Sequence, residues 1–163
     1  MRRLLVGLGL GCAAMACSDP PLTCVTDLDL TCAPLFKPTY DNLYTNTFVP
    51  KCGIGGKSCH ASEGAMGGLI FDNADDSYHR LVDPFAGRIL PGDPACSELI
   101  ERVFSTDAHW HMPRGMDSLP APERCALVQW VAAGAPRTPP DAALPDAGLP
   151  DATPDAEAPP DAP

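Results

Sequence analysis

Two thiols and an imidazole stand close together in residues 52–60, which read CGIGGKSCH. Thiolate and imidazole groups bind metals, and a pair of thiols can form a disulfide. On a regular helix, residues seven positions apart lie about 10 Å apart along the axis, too far for a disulfide. The three glycines between Cys52 and Cys59 reach backbone angles that side chains forbid, so they predict a loop that brings Cys52 back toward Cys59.

Further metal-binding side chains lie in the predicted loop 105–118, where residues 109–113 read HWHMP. Met112 brings a thioether, and Trp110 beside it either covers a site or fills the core. His109 and His111 could join Cys59 and His60 in a zinc site, although the spacing matches no common zinc module. The two histidines are more simply interpreted as surface residues of a polar loop.

The elements that must position these groups are predicted to be helices. Asp41 is a suitable N-cap for a helix that ends at Pro50, just before Cys52. Its apolar residues recur at spacings of three and four, which is typical of one buried stripe. The stripe consists of Tyr40, Leu43, Tyr44, Thr47 and Phe48.

Three more helices are predicted further along the chain. A short helix covers 73–82 after an extended segment at 67–72, and Asp93 with Pro94 opens a helix that runs to about Phe104. The last helix begins at Pro120 and ends near Gly134. With long loops between them, these helices predict a small all-α bundle.

The N-terminus predicts export. An apolar run from Leu4 to Met15 follows two arginines and is too short to span a bilayer. Ala14-Met15-Ala16-Cys17 resembles the lipobox of bacterial lipoproteins, so we expect a signal peptide over 1–16, lipid on Cys17 and a location on a membrane of the cell envelope. The alternative is an ordinary cleaved secretion signal.

Export predicts that the remaining six cysteines meet an oxidising compartment. Residues 17–38 form a spacer rich in Pro and Thr, in which we expect Cys24 and Cys32 to close a short loop by a disulfide. Six thiols allow three disulfides, or two disulfides and two thioethers, so their number does not decide between these arrangements.

Residues 137–163 repeat Pro-Asp-Ala and predict a disordered tail. This tail holds six of the acidic residues behind the net charge of -10 and leaves residues 39–136 as the folded domain. Nucleic-acid binding is not expected, because it needs clustered lysine and arginine. No Ser-His-Asp arrangement or phosphate loop is evident, so we expect no enzymatic activity.

Taken in order, the motifs between about Thr39 and Pro136 resemble the planctomycete-type cytochrome c domain. They are a helix before Cys59-His60, then Gly-Gly-Leu at 67–69, Leu-Pro-Gly-Asp-Pro at 90–94, Met112-Pro113, and Trp-Val-Ala-Ala-Gly-Ala at 130–135. The resemblance implies a haem c with His60 and Met112 as axial ligands and Cys52 and Cys59 as thioether carriers. It implies an electron carrier with an unidentified redox partner.

Two departures from that family leave an alternative open. Six residues separate Cys52 from Cys59, whereas the haem-attachment signature places its cysteines three apart. Cys96 and Cys125, which the family pattern lacks, lie on two predicted helices. If those helices pack against each other, a disulfide between the two cysteines would stabilise the core. The alternative is therefore a haemless structural or interaction lipoprotein in which Cys52 and Cys59 form a third disulfide.

Overall fold

The structure, a computed structural model, describes residues 22–55 and 58–138. All regular elements in these two ranges are helical, which confirms the predicted all-α class. The predicted signal peptide, the lipidation site Cys17 and residues 139–163 of the predicted tail lie outside the described residues. In chain order the elements are helix α1 (Tyr40–Leu43), a π-helix (Tyr44–Cys52), a 3-10 helix (Met66–Gly68), α2 (Ala74–Val82), α3 (Glu98–Phe104) and α4 (Ala121–Ala132).

The first helical segment differs from its prediction at both ends. Thr39, not Asp41, is the N-cap, and its hydroxyl accepts a hydrogen bond from the Asn42 amide at 3.3 Å. Pro50 does not end the segment, because the α-helical winding changes to a π-helix whose bonds reach one residue further back. The segment therefore continues past Pro50 and carries Cys52 as its last residue.

Helix α4 lies at the centre of the core. It contacts α1 and α3, and most of its residues are buried on all sides. Trp130 is fully buried and its ring lies 5.7 Å from that of Tyr40, which also contacts three other aromatic rings. Those rings belong to Tyr44, Phe48 and Tyr78.

Helix α3 begins later in the chain than the start predicted at Asp93 and Pro94. Ser97 is its N-cap residue, and the Ser97 hydroxyl accepts from the Leu90 amide at 2.9 Å and donates to the Asp93 carbonyl at 2.7 Å. The Asp93 carboxylate instead accepts from the Cys96 amide at 3.2 Å. Residues 93–96 therefore form a turn that leads into the helix.

Both predicted disulfide pairings are wrong. Cys24 pairs with Cys96 and Cys32 pairs with Cys125, so neither a Cys24–Cys32 nor a Cys96–Cys125 bridge exists. The spacer does not fold on itself, because its backbone is bound to the rest of the chain. The Val25 amide donates to the Ala95 carbonyl at 2.8 Å, and the Leu35 amide donates to the Pro122 carbonyl at 2.8 Å.

Gln129 on α4 adds a third attachment for the spacer. Its side-chain amide donates to the Leu30 carbonyl at 3.1 Å and to the Cys32 carbonyl at 2.9 Å. The spacer thus lies along α4, with Cys32 placed beside Cys125. None of the helices in the described ranges has the length and apolar character needed to cross a membrane.

Candidate functional site

The loop between Cys52 and Cys59 folds back as its glycines predicted. The Gly53 amide donates to the Phe48 carbonyl at 2.7 Å, and the Gly55 amide donates to the Val49 carbonyl at 3.1 Å. A Cβ on Gly55 would lie 2.6 Å from the Pro50 carbonyl oxygen, so a side chain does not fit there. The chain therefore turns sharply against the end of the π-helix.

This turn connects the backbones of Cys52, Cys59 and His60. The His60 amide donates to the Cys52 carbonyl at 3.0 Å, and the Met66 amide donates to the Cys59 carbonyl at 2.9 Å. The Phe71 amide donates to the His60 carbonyl at 2.7 Å. His60 is consequently held from both sides, although it lies outside any regular helix.

The imidazole of His60 has a fixed orientation. Its Nδ1 lies 3.0 Å from the Met66 carbonyl oxygen, which only accepts hydrogen bonds, so Nδ1 carries the proton and the Nε2 lone pair remains available. The edge of the Phe71 ring packs against it with 5.9 Å between ring centroids. Burial lowers the pKa of His60, and this shift favours the neutral imidazole that metals bind.

His60 and Met112 line the same cavity, which has a volume of about 340 Å³. The Met112 amide donates to the Arg102 carbonyl at 3.0 Å, so the end of α3 positions the segment that carries the thioether. The walls of this cavity also include three leucines from different parts of the chain. These are Leu69, Leu81 and Leu99.

The charged part of the cavity wall was missed by the sequence interpretation. Arg88 donates to the Gly67 carbonyl at 2.7 Å and to the Arg80 carbonyl at 2.8 Å. Arg102 forms an ion pair with Glu98 at 2.7 Å and stacks 5.0 Å from the centre of the Trp110 ring. Arg88 and Arg102 are 14 residues apart, and no sequence pattern predicted that they would line one cavity.

Trp110 does not line the cavity, and it is half-buried rather than part of the core. Its ring also packs against His109 at 4.7 Å, and the His111 Nδ1 lies 2.8 Å from the Ser105 carbonyl oxygen. No group of three or more His, Cys, Asp or Glu residues in the described part of the chain could hold a metal ion. The zinc alternative therefore has no assembled ligand set among these residues.

Neither Cys52 nor Cys59 lines the cavity that His60 and Met112 share. The two side chains remain thiols, so the Cys52–Cys59 disulfide of the haemless alternative is not formed. Cys52 packs against the main hydrophobic core. Burial, together with the negative charge of Glu123, raises the pKa of the Cys52 thiol to about 12, which keeps that thiol protonated.

A buried carboxylate beside this segment was also missed. Glu123 is fully buried on α4, where its carboxylate accepts from the Thr47 hydroxyl at 2.6 Å and pairs with the Lys51 ammonium. Both partners belong to the π-helix that ends at Cys52. From sequence, Glu123 was only an acidic residue in a first helical turn, a position that is ordinarily exposed.

Comparison with family models finds a match over part of the chain. Residues 57–114 match the model of the family described as Planctomycete cytochrome C, a match that spans just over a third of the chain. The matched segment contains Cys59, His60 and Met112 and begins after Cys52. A search of curated proteins and a search of solved structures each returned no significant match. The family match confirms the resemblance predicted from the motifs.

Proposed function

From the premise that residues 57–114 form a planctomycete-type cytochrome c domain, we propose that this protein binds one haem covalently and transfers electrons. The observation that carries the proposal is the shared cavity of His60 and Met112. An imidazole and a thioether, supplied from distant parts of the chain, line one largely apolar space. These are the donors that axial ligation in a cytochrome c requires.

The residues around the cavity fit such a group in three respects. The Met66 carbonyl fixes the His60 ring so that Nε2 is the donor nitrogen, and the lowered pKa keeps this nitrogen unprotonated at neutral pH. Leu69, Leu81 and Leu99 give the wall apolar surface, which suits a porphyrin ring. Arg88 and Arg102 both line the wall, but Glu98 lines it too and pairs with Arg102. Arg88 is therefore the cation at the wall that suits a carboxylated ligand.

Bound haem would supply one-electron redox chemistry. His60 and Met112 would supply the imidazole and the thioether that hold it, and this would leave no open coordination position for a substrate. The proposed role is therefore an electron carrier without enzymatic activity, acting with a redox protein that is not yet identified.

A spectrum of the full-length protein, purified from a host with haem-attachment machinery, tests this function. We expect a haem absorption band in the wild type that His60→Ala abolishes or strongly reduces. Met112→Leu should retain the haem but alter its spectrum and lower its reduction potential, because a thioether ligand favours the reduced iron.

Two matched substitutions serve as controls. His79→Ala removes an exposed imidazole on α2, and Met116→Leu changes a methionine that does not line the cavity. Both variants should have the wild-type spectrum. A colourless wild-type protein whose intact mass lacks haem would contradict the proposal and support the haemless structural or interaction protein.

The proposed carrier is exported and held on a membrane of the bacterial cell envelope by lipid on Cys17. This placement rests on the lipobox-like sequence before Cys17. Fractionation of cells that produce the wild type or Cys17→Ser tests it. The wild type should sediment with membranes and Cys17→Ser should not, and equal distribution of the two would exclude the lipid anchor.

A further inference from the structure

The cysteines of this chain depart from the family signature for haem attachment in their spacing. In that signature the first cysteine stands three residues before the second, and here the corresponding position is Gly56. The segment that matches the family starts at residue 57 and so contains only one of the two thiols. The first cysteine of the signature therefore has no counterpart at its usual position, and Cys52 lies outside the matched segment.

The surroundings of Cys52 are those of a structural residue. It ends the π-helix, and its side chain packs against the hydrophobic core. Neither Cys52 nor Cys59 lines the cavity, so it is this packing that distinguishes Cys52. Its carbonyl oxygen is already bonded to the His60 amide at 3.0 Å. This bond places the backbone of Cys52 beside His60, while its side chain packs against the core.

The π-helix itself is also held in place. Thr47 and Lys51 both bind the buried carboxylate of Glu123, which belongs to the central helix α4. Gly55 is packed so closely against Pro50 that the following turn has no room for a side chain. These contacts fix Cys52 against the core, on an element that cannot shift without disturbing α4.

Cys59 is placed differently. It directly precedes His60, lies outside the regular helices and belongs to the segment that matches the family. Because His60 lines the cavity, the neighbouring Cys59 is the thiol nearest in the chain to a group bound there. We infer that haem is attached by one thioether, through Cys59, while Cys52 remains a thiol packed against the core.

This inference rests on the proposed haem binding. In the attachment step the Cys59 S–H adds across one vinyl group of the porphyrin. Sulfur bonds to the vinyl carbon next to the ring, and the hydrogen goes to the terminal carbon. The addition needs no net oxidant, and the second vinyl group stays unsaturated.

A thiol count on the wild-type holoprotein tests the inference directly. The full-length protein is denatured without reduction, alkylated with iodoacetamide, weighed intact and mapped by proteolysis. We expect one haem and one alkyl group on the folded domain, with the alkyl group on Cys52 and the haem on the peptide that contains Cys59. The two disulfides should remain closed.

The outcomes separate the inference from the function on which it rests. One haem with no alkylated Cys52, and a haem crosslink to the peptide containing Cys52, would overturn the single attachment but leave haem binding intact. A chain without haem would overturn both. The pyridine haemochrome spectrum is an independent check, because one remaining vinyl group shifts its visible band to longer wavelength than that of a haem with two thioethers.

Two variants provide a second comparison. Cys52→Ala should keep haem bound through denaturing electrophoresis at the wild-type ratio of haem to chain. Cys59→Ala should lose haem under the same conditions, even if the native protein is still coloured. Loss of covalent haem from a folded Cys52→Ala protein would contradict the inference, and the wild-type alkylation result decides the case if that variant does not fold.

Discussion

Glu123 shows how one side chain can join two elements that are far apart in sequence. It lies fully buried on α4 and accepts hydrogen bonds from Thr47 and Lys51 on the π-helix. A buried carboxylate is stable only when its oxygens are paired, since its desolvation is costly. Here one oxygen binds the hydroxyl and the other binds the ammonium group.

We predict that Glu123→Ala lowers the free energy of unfolding by about 2–4 kcal/mol, because it leaves Thr47 and Lys51 without their shared acceptor. Urea unfolding followed by tryptophan fluorescence measures the effect. Glu63→Ala, which changes an exposed glutamate, should cost less than about 0.5 kcal/mol. Equal stability of the two variants would show that the Glu123 contacts contribute little.

Tyr40 provides a test that depends on pH. Its buried hydroxyl donates to the Ala74 carbonyl at 2.8 Å and pairs with the Ser77 hydroxyl at 2.6 Å. Burial raises the pKa of Tyr40 to about 12, above the value of about 10 for an unfolded chain. Between these values the unfolded state loses its proton first, so stability falls as pH rises.

We therefore predict that Tyr40 contributes a loss of at most about 1.4 kcal/mol per pH unit between pH 10 and 12. Tyr40→Phe should reduce stability at pH 8 by about 1–2 kcal/mol, because the hydrogen bonds of the hydroxyl are lost. Above pH 10, however, the stability of this variant should fall less steeply than that of the wild type. Urea unfolding of both proteins at pH 8 and pH 11 provides the comparison. Parallel losses in the two proteins would contradict the assignment.

At the level of elements, the loop that carries His60 depends on Gly64. A Cβ at this position would lie 2.2 Å from the Ser58 carbonyl oxygen and 2.7 Å from that of Cys59. Both contacts are with backbone atoms, which cannot rotate away. The loop must therefore move if a side chain is introduced, and Cys59 and His60 would move with it.

We predict that Gly64→Ala destabilises the protein by about 1–3 kcal/mol and lowers the amount of haem bound per chain. Gly92→Ala is the matched control, since Gly92 has φ +86 but no atom within 4 Å of the place that an added methyl group would take. Gly92→Ala should lower the free energy of unfolding by about 1–2 kcal/mol through backbone strain alone and should leave the haem content unchanged. Equal haem loss in both would contradict the role assigned to Gly64.

Local signals allowed the prediction of most helices. Asn73 caps α2 by accepting from the amides of Asp75 and Asp76, and the apolar run after Pro120 forms α4. The start of α3 was not predictable in the same way. Asp93 and Ser97 are both capping residue types, and the choice between them depends on Leu90, whose amide binds the Ser97 hydroxyl only in the folded chain.

The site was predictable to a similar extent. The order of motifs identified His60 and Met112, which line one cavity, and the glycines predicted the turn after Cys52. The burial of Glu123 and the separation of Cys52 from the cavity arise from packing against α4. Sequence periodicity contains no information about such contacts between distant segments.

At the scale of the whole molecule, two disulfides bind the spacer to the folded domain. Six thiols permit fifteen complete pairings, so spacing alone could not select Cys24–Cys96 and Cys32–Cys125. These bridges join residues 72 and 93 positions apart. Long closed loops restrict the unfolded chain strongly, so each bridge should contribute about 2–4 kcal/mol to stability.

We predict that replacing both members of either pair by alanine lowers the free energy of unfolding by about 2–4 kcal/mol, with the larger loss for Cys32 and Cys125 because Cys125 is buried in α4. No described residue of the spacer lines the cavity of His60 and Met112. The visible spectrum of the folded Cys24→Ala/Cys96→Ala protein should therefore equal that of the wild type. A changed spectrum would show that the spacer supports the site, and recovery of a Cys24–Cys32 peptide by disulfide mapping would contradict the pairing itself.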